Sequence, residues 1–91
     1  MAFKVKECEH LNNVTEVGVI EKAECSDCVE MGSNWVHLRK CVDCGYIGCC
    51  DSSVNKHATK HFQSKGHPVI VSAEEGENWA WCYNDEIFKR L

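Results

Sequence analysis

The stretch CVDCGYIGCCDSSVNKHATKHFQSKGH, residues 41–67, decides how this chain is read. Cys41 and Cys44 close a Cys-x-x-Cys turn, Cys49 and Cys50 follow, and His57, His61 and His67 come after them. A second such turn, Cys25 and Cys28, precedes the stretch. The two thiolates of a Cys-x-x-Cys turn reach one zinc ion at about 2.3 Å, and an imidazole nitrogen reaches it at about 2.0–2.1 Å. Each turn is therefore a two-ligand half-site. His61 with His67 makes a third half-site, and Cys49 or Cys50 with His57 a fourth. Four half-sites complete two tetrahedral ions. Spacing alone does not pair them: a sequential pairing joins Cys25/Cys28 with Cys41/Cys44, whereas an interleaved one cross-braces the chain. Either way, four protein ligands leave no open position for water or substrate, which marks a structural site.

Composition agrees. Ninety-one residues make one domain, residues 1–91, and a core of that size is marginal without disulfides or metal. Eight cysteines could serve either purpose. Disulfides need an oxidising compartment, and the opening MAFKVKECEH has no apolar signal-peptide core. They also leave the spaced histidines without a role. The expected compartment is a reducing one, the cytoplasm. No stretch is long enough to span a membrane. The formal charge of −4 and the scatter of Lys and Arg along the chain argue against nucleic-acid binding. The expected state is a monomer.

The fold class read from the pattern is α+β, a small zinc-stabilised domain with an antiparallel sheet, one main helix and a short C-terminal helix. Residues 13–24, with Val14, Val17, Val19 and Ile20, are expected to form a strand, as are residues 34–40, 68–72 and 79–83. Gly45 fits a knuckle that ends left-handed. Ser52 and Ser53 are candidate N-caps for the main helix, at about residues 54–65, which stops at Gly66. His57 and His61, four apart, share a face of it. Trp79 and Trp81 share a strand face. Asn84 or Asp85 is read as capping the short last helix, through Leu91. His37 reads as a half-exposed strand residue. One of Cys49 and Cys50 is a ligand and the other a packed thiol. A further constellation joins Cys8-x-His10 to Cys82 and Asp85, with the carboxylate as an acceptable zinc ligand.

The run C-x-H-L…CSDC…W-x-x-L-x-x-CVDCGYIGC…HATKHFQSKGHPVIV…WAWCY, covering residues 8–85, resembles the UBP-type zinc finger, the ubiquitin-binding module of deubiquitinating proteases and of a histone deacetylase. The resemblance implies the interleaved pairing: Cys25, Cys28, Cys49 and His57 on one ion, and Cys41, Cys44, His61 and His67 on a second. Three-zinc members add a C-x-H at the start and a C-x-x-C after the tryptophan. Here Asp85 replaces the last of those cysteines, so Cys8, His10, Cys82 and Asp85 form the candidate third site. The chain most resembles small stand-alone prokaryotic members.

The family grips the free C-terminal Gly-Gly of ubiquitin in an aromatic pocket, with an arginine just after the third-knuckle cysteine holding the carboxylate. Trp81 and Tyr83 match the aromatic wall, and Trp35 and Trp79 are candidate neighbours. The arginine is missing: Cys50-Asp51-Ser52-Ser53 follows Cys49. Asp51 repels a carboxylate, and neither residue type makes the bidentate contact of a guanidinium. Candidate replacements are Arg39 and Lys40. The expected function is a non-enzymatic module for a free C-terminal peptide tail, with weakened ubiquitin binding. The alternative is a zinc-stabilised interaction scaffold that has lost tail binding. A Cys-x-x-Cys redox enzyme fits poorly, because the β-α-β setting of such motifs is absent.

Overall fold

In the computed structural model, which describes residues 8–20 and 23–91, one twisted sheet carries the molecule. In chain order the elements are a short 3-10 turn at Glu9–Leu11, α1 at Ser26–Met31, β1 at Leu38–Cys41, β2 at Ile47–Cys49, α2 at His57–Lys65, β3 at Val69–Ser72, β4 at Trp79–Cys82 and β5 at Ile87–Arg90. The five strands are antiparallel in the order β2-β1-β3-β4-β5.

Side chains alternate across a strand, and paired residues share a face, so the register sorts the sheet into two surfaces. Cys41, Ile70, Trp81 and Phe88 fall in line across β1, β3, β4 and β5, with Arg39, Ser72 and Trp79 one pleat along. The opposite face holds Lys40, Val69, Val71, Ala80 and Cys82. Its core is Val69, Val71, Ala80 and Cys82 packed on Cys8, Leu11 and Val14 of the N-terminal segment. A second cluster gathers Cys25, Cys28, Leu38, Cys49 and Ala73.

Helix α2 rests directly on β2. A Cβ at Gly48 would come within 2.7 Å of the Ala58 backbone nitrogen, so only glycine permits this approach. Gly45 ends the knuckle at φ +80°, and its N–H donates to Cys41 O at 2.8 Å.

Three expected elements differ. The described part of residues 13–24 is not a strand. Val14 is buried and Val19 is 77 % exposed. Carbonyls here are taken by lysines instead of a sheet ladder: Lys89 Nζ donates to Val14 O at 2.8 Å and to Leu11 O, just before the segment, at 2.9 Å, and Lys40 Nζ to Val17 O and Val19 O at 3.4 and 3.3 Å. Residues 21 and 22 lie outside the described ones.

The C-terminal helix is not formed. A turn over residues 83–86, with Glu86 left-handed at φ 53°, returns the chain as β5, and every residue of β5 pairs with β4. The hairpin ladder overrides the local capping tendency of Asn84 and Asp85.

Helix α2 begins at His57, later than expected, and neither Ser52 nor Ser53 caps it. Ser53 is buried and accepts from the Val36 N–H at 2.8 Å. Cys49 Sγ takes the cap's place, accepting from the His57 N–H at 3.2 Å.

Candidate metal centres and the aromatic cleft

Three groups of four metal-ligand side chains converge: Cys25, Cys28, Cys49 and His57; Cys41, Cys44, His61 and His67; and Cys8, His10, Cys82 and Asp85. Within each group the donor atoms lie within 4.8 Å of one another. All eight cysteines are free thiols.

The bond lengths of a tetrahedral zinc site place two sulfurs about 3.8 Å apart, and a sulfur and an imidazole nitrogen about 3.6 Å apart. In the first group, Cys28 Sγ and Cys49 Sγ are 3.8 Å apart, and His57 Nδ1 lies 3.2, 3.3 and 3.5 Å from the sulfurs of Cys25, Cys28 and Cys49. In the second, Cys41 Sγ is 3.5 Å from His67 Nδ1, and Cys44 Sγ is 3.3 Å from His61 Nε2. The donors already stand near the corners of a tetrahedron, and the sets fit zinc. Burial also raises the Cys25 thiol to about 11, and a desolvated thiolate of this kind needs a cation beside it.

One helix feeds both groups. His57 and His61, one turn apart on α2, enter different sites, which makes the arrangement interleaved. Three residues outside the ligand sets support them. Asn55 Nδ2 lies 3.6 Å from Cys28 Sγ and donates to Ser33 Oγ at 2.8 Å. The Tyr46 ring stacks on His61, with centroids 4.3 Å apart, and its hydroxyl donates to Asp27 between the first two thiols. Burial first, then Asp27, holds that hydroxyl protonated. Tyr46 and Asp27 thus tie the two groups together. No spacing rule flags either residue.

The third group is more exposed than the first. Cys8 Sγ and His10 Nδ1 both contact Asp85 Oδ2, at 2.8 and 3.1 Å, and Cys82 Sγ lies 3.6 Å from His10 Nδ1 and 3.7 Å from Asp85 Oδ2. The His10 and Asp85 side chains are 43 % and 37 % exposed. Burial, with the bond to Asp85, raises the Cys8 thiol to about 11.

Cys50 stays out of the metal groups. It is buried, with its Sγ 3.6 Å from Ser53 Oγ. Burial opposes ionisation of its thiol, but hydrogen bonds from Ser53 and the Ser52 and His37 backbones outweigh it and bring the thiol to about 7. His37 is exposed.

On the other side of the knuckles a cleft of about 300 Å³ opens. Trp79, Trp81, Tyr83, Ile70 and Phe88 line it, with Arg39 and the Cys50–Ser52 loop. Arg39 sits 4.6 Å above the Trp79 ring and donates to its neighbour's carbonyl, Leu38 O, at 2.9 Å. Among the described residues no carboxylate lies within 4.0 Å of this guanidinium. Tyr83 stacks on Phe62, with centroids 4.6 Å apart. Two expectations are corrected here. Trp35 packs on the Cys25, Cys28, Leu38 and Cys49 cluster and does not line the cleft. Lys40 projects to the opposite face, where it binds the Val17 and Val19 carbonyls, so Arg39 is the cleft's cation.

A knuckled sheet with this donor pattern defines a zinc finger. Residues 25–89 match the family described as "Zn-finger in ubiquitin-hydrolases and other protein", and the chain belongs to that family. It is 35 % identical over 63 residues to ubiquitin carboxyl-terminal hydrolase 44 of Ailuropoda melanoleuca, covering 69 % of this chain and 8 % of that protein. Against the Drosophila melanogaster hydrolase nonstop it is 33 % identical over 67 residues, covering 74 % and 13 %. Against the NAD-dependent deacetylase sir2A of Dictyostelium discoideum it is 28 % identical, covering 90 % and 16 %. The chain thus spans under a fifth of these curated relatives' lengths. A solution NMR structure of a Rhodopseudomonas palustris protein superposes with a TM-score of 0.80 at 42 % identity, covering 97 % of this chain and 85 % of that one.

Proposed function

We propose that this domain is a non-catalytic binding module, built on structural zinc, whose aromatic cleft receives the free C-terminal tail of a peptide or protein. The observation that carries the reading is Arg39, held over Trp79 in the cleft with no carboxylate within 4.0 Å of it among the described residues. A guanidinium kept in place by a ring and a carbonyl is preorganised for a carboxylate, and the rings of Trp81 and Tyr83 supply flat walls for a small, extended tail.

The first two metal groups hold one zinc ion each, and the third holds another with Asp85 as its oxygen ligand. These ions brace the chain and leave no coordination site for chemistry. The module acts as a monomer in the cytoplasm, where eight reduced cysteines persist. Its scattered cations give nucleic acid no footing. Among the described residues no helix is long and apolar enough to cross a membrane.

The alternative, an interaction scaffold that has lost tail binding, is favoured by one observation: Asp51 lines the cleft where tail binders of the family carry arginine. Calorimetric titration of the zinc-loaded domain with ubiquitin, and with ubiquitin lacking its last two glycines, separates the two. Tail recognition requires weak binding to the first and none to the second. Equal binding, or none to either, supports the scaffold.

A further inference from the structure

The metal groups differ in how far solvent reaches their sulfurs. All eight cysteines are among the described residues, and Cys44 is exposed while the other seven are buried. Cys44 lies in the wall of a separate cleft of about 440 Å³ along α2, lined also by Lys60, Ser64 and Lys65. That cleft gives a small polar molecule a path to the Cys44 sulfur.

The first group carries one more thiolate, and so more negative charge, but its three sulfurs are fully buried. Two of them also accept hydrogen bonds, Cys49 Sγ from the His57 N–H at 3.2 Å and Cys28 Sγ from Asn55 Nδ2 at 3.6 Å. In the third group both sulfurs, of Cys8 and Cys82, are buried. Access therefore singles out Cys44. A metal-bound thiol is deprotonated outright, and the thiolate is the form that reacts. Oxidant-sensitive thiolates are solvent-accessible and stand beside a second cysteine that resolves the first product. Cys41 is that neighbour. A four-residue turn keeps its end Cα atoms under about 7 Å apart, within disulfide reach. The donor atoms of this group lie within 4.8 Å of one another.

Resting on the reading above that the second group holds zinc, we infer that Cys44 is a modification site for hydrogen peroxide, with Cys41 as its resolving thiol, and that their disulfide empties this group of metal. The Cys44 thiolate attacks one peroxide oxygen. The O–O bond breaks, hydroxide leaves and takes a proton from solvent, and the sulfur becomes a sulfenic acid. The Cys41 thiolate then attacks that sulfur. The S–O bond breaks, a second hydroxide leaves and is protonated, and the S–S bond forms. Two thiolates have lost two electrons, and the peroxide has gained them as two waters. His61 and His67 remain, two donors where the group had four. Helix α2 keeps its anchor at His57 and loses the one at His61. Phe62, the next residue, stacks on Tyr83 with centroids 4.6 Å apart, so the release reaches the wall of the aromatic cleft.

The test uses the zinc-loaded domain. Before treatment, the ring-nitrogen NMR signals of His61 and His67 should show bound metal; if they do not, the reading of this group as a zinc site fails and the inference fails with it. Stoichiometric hydrogen peroxide is then added, released zinc is followed with a chromogenic chelator, and the remaining thiols are alkylated after denaturation and mapped by mass spectrometry. The first event should be the loss of one ion per chain together with a Cys41–Cys44 disulfide, with the other six cysteines still alkylated. Dithiothreitol with added zinc should restore the starting spectrum. Cys44→His keeps a nitrogen donor at the position and removes the exposed sulfur, so that variant should retain its zinc in peroxide. Should it fail to fold, the map of the unsubstituted chain still decides. First oxidation at any other cysteine, oxidation of Cys44 without a bond to Cys41, or survival of every thiol overturns this inference alone.

Discussion

The first and third metal groups are built from the same number of side chains to opposite effect. Cys25, Cys28 and Cys49 are fully buried and are joined by the half-buried imidazole of His57 at the start of α2. His10 and Asp85 face solvent, and a carboxylate stands where the first group has a third sulfur. The first group holds together the knuckle, β2 and α2; the third fastens the N-terminal segment to β4 and the hairpin turn. A mostly buried, sulfur-rich site should act as a folding device, whereas an exposed one with an oxygen ligand should act as a clasp on an already formed sheet.

The largest effect that could break this contrast is metal removal. Structural zinc contributes about 10–16 kcal/mol in small finger peptides, comparable to the whole stability of a domain, about 5–15 kcal/mol. Strong chelation at neutral pH should therefore collapse the dispersed amide NMR spectrum. A chelated chain that keeps its dispersion would contradict the account.

Single ligands come next. Cys28→Ser and His61→Ala each leave a four-donor site one donor short and should unfold the domain or lower its Tm steeply by circular dichroism. His37→Ala, at an exposed position, should leave Tm unchanged. Asp85→Ala sharpens the comparison: metal analysis should show one zinc fewer per chain, with sheet and α2 resonances retained. Global unfolding of that variant would make the third group as structural as the first.

These groups were legible because their geometry is local. A Cys-x-x-Cys turn places two thiols together whatever the rest of the chain does, and the resemblance then selected the interleaved pairing. What was missed depends on long-range pairing. Arg39 and Lys40 are neighbours in sequence, and only the register of β1 against β2 and β3 sends one to the cleft and the other to the N-terminal carbonyls. Trp35 looked like a pocket wall by type, but the fold packs it on the first metal cluster. Residues 84–91 carry capping residues, yet β4 offers a ladder that no local rule anticipates. Asp27 and Tyr46 meet only once the two knuckles are folded side by side.

The two neighbours supply a smaller effect. Arg39→Ala should weaken binding of a Gly-Gly tail roughly 10- to 100-fold, the cost of one charge-assisted contact of about 1.5–3 kcal/mol, while Lys40→Ala should leave it unchanged in calorimetry. Equal losses in both variants would mean that general positive charge, not the cleft, attracts the tail.

The most direct measurement is an amide and indole NMR titration of the zinc-loaded, isotopically labelled domain with one Gly-Gly peptide, first as the free acid and then as the amide. The account predicts that the free acid shifts the Trp79 and Trp81 indole N–H signals, the Arg39 side chain and the Tyr83 amide in one concentration-dependent event, and that the amide shifts them little. Equal shifts from acid and amide, or shifts confined to residues outside the cleft, would contradict it.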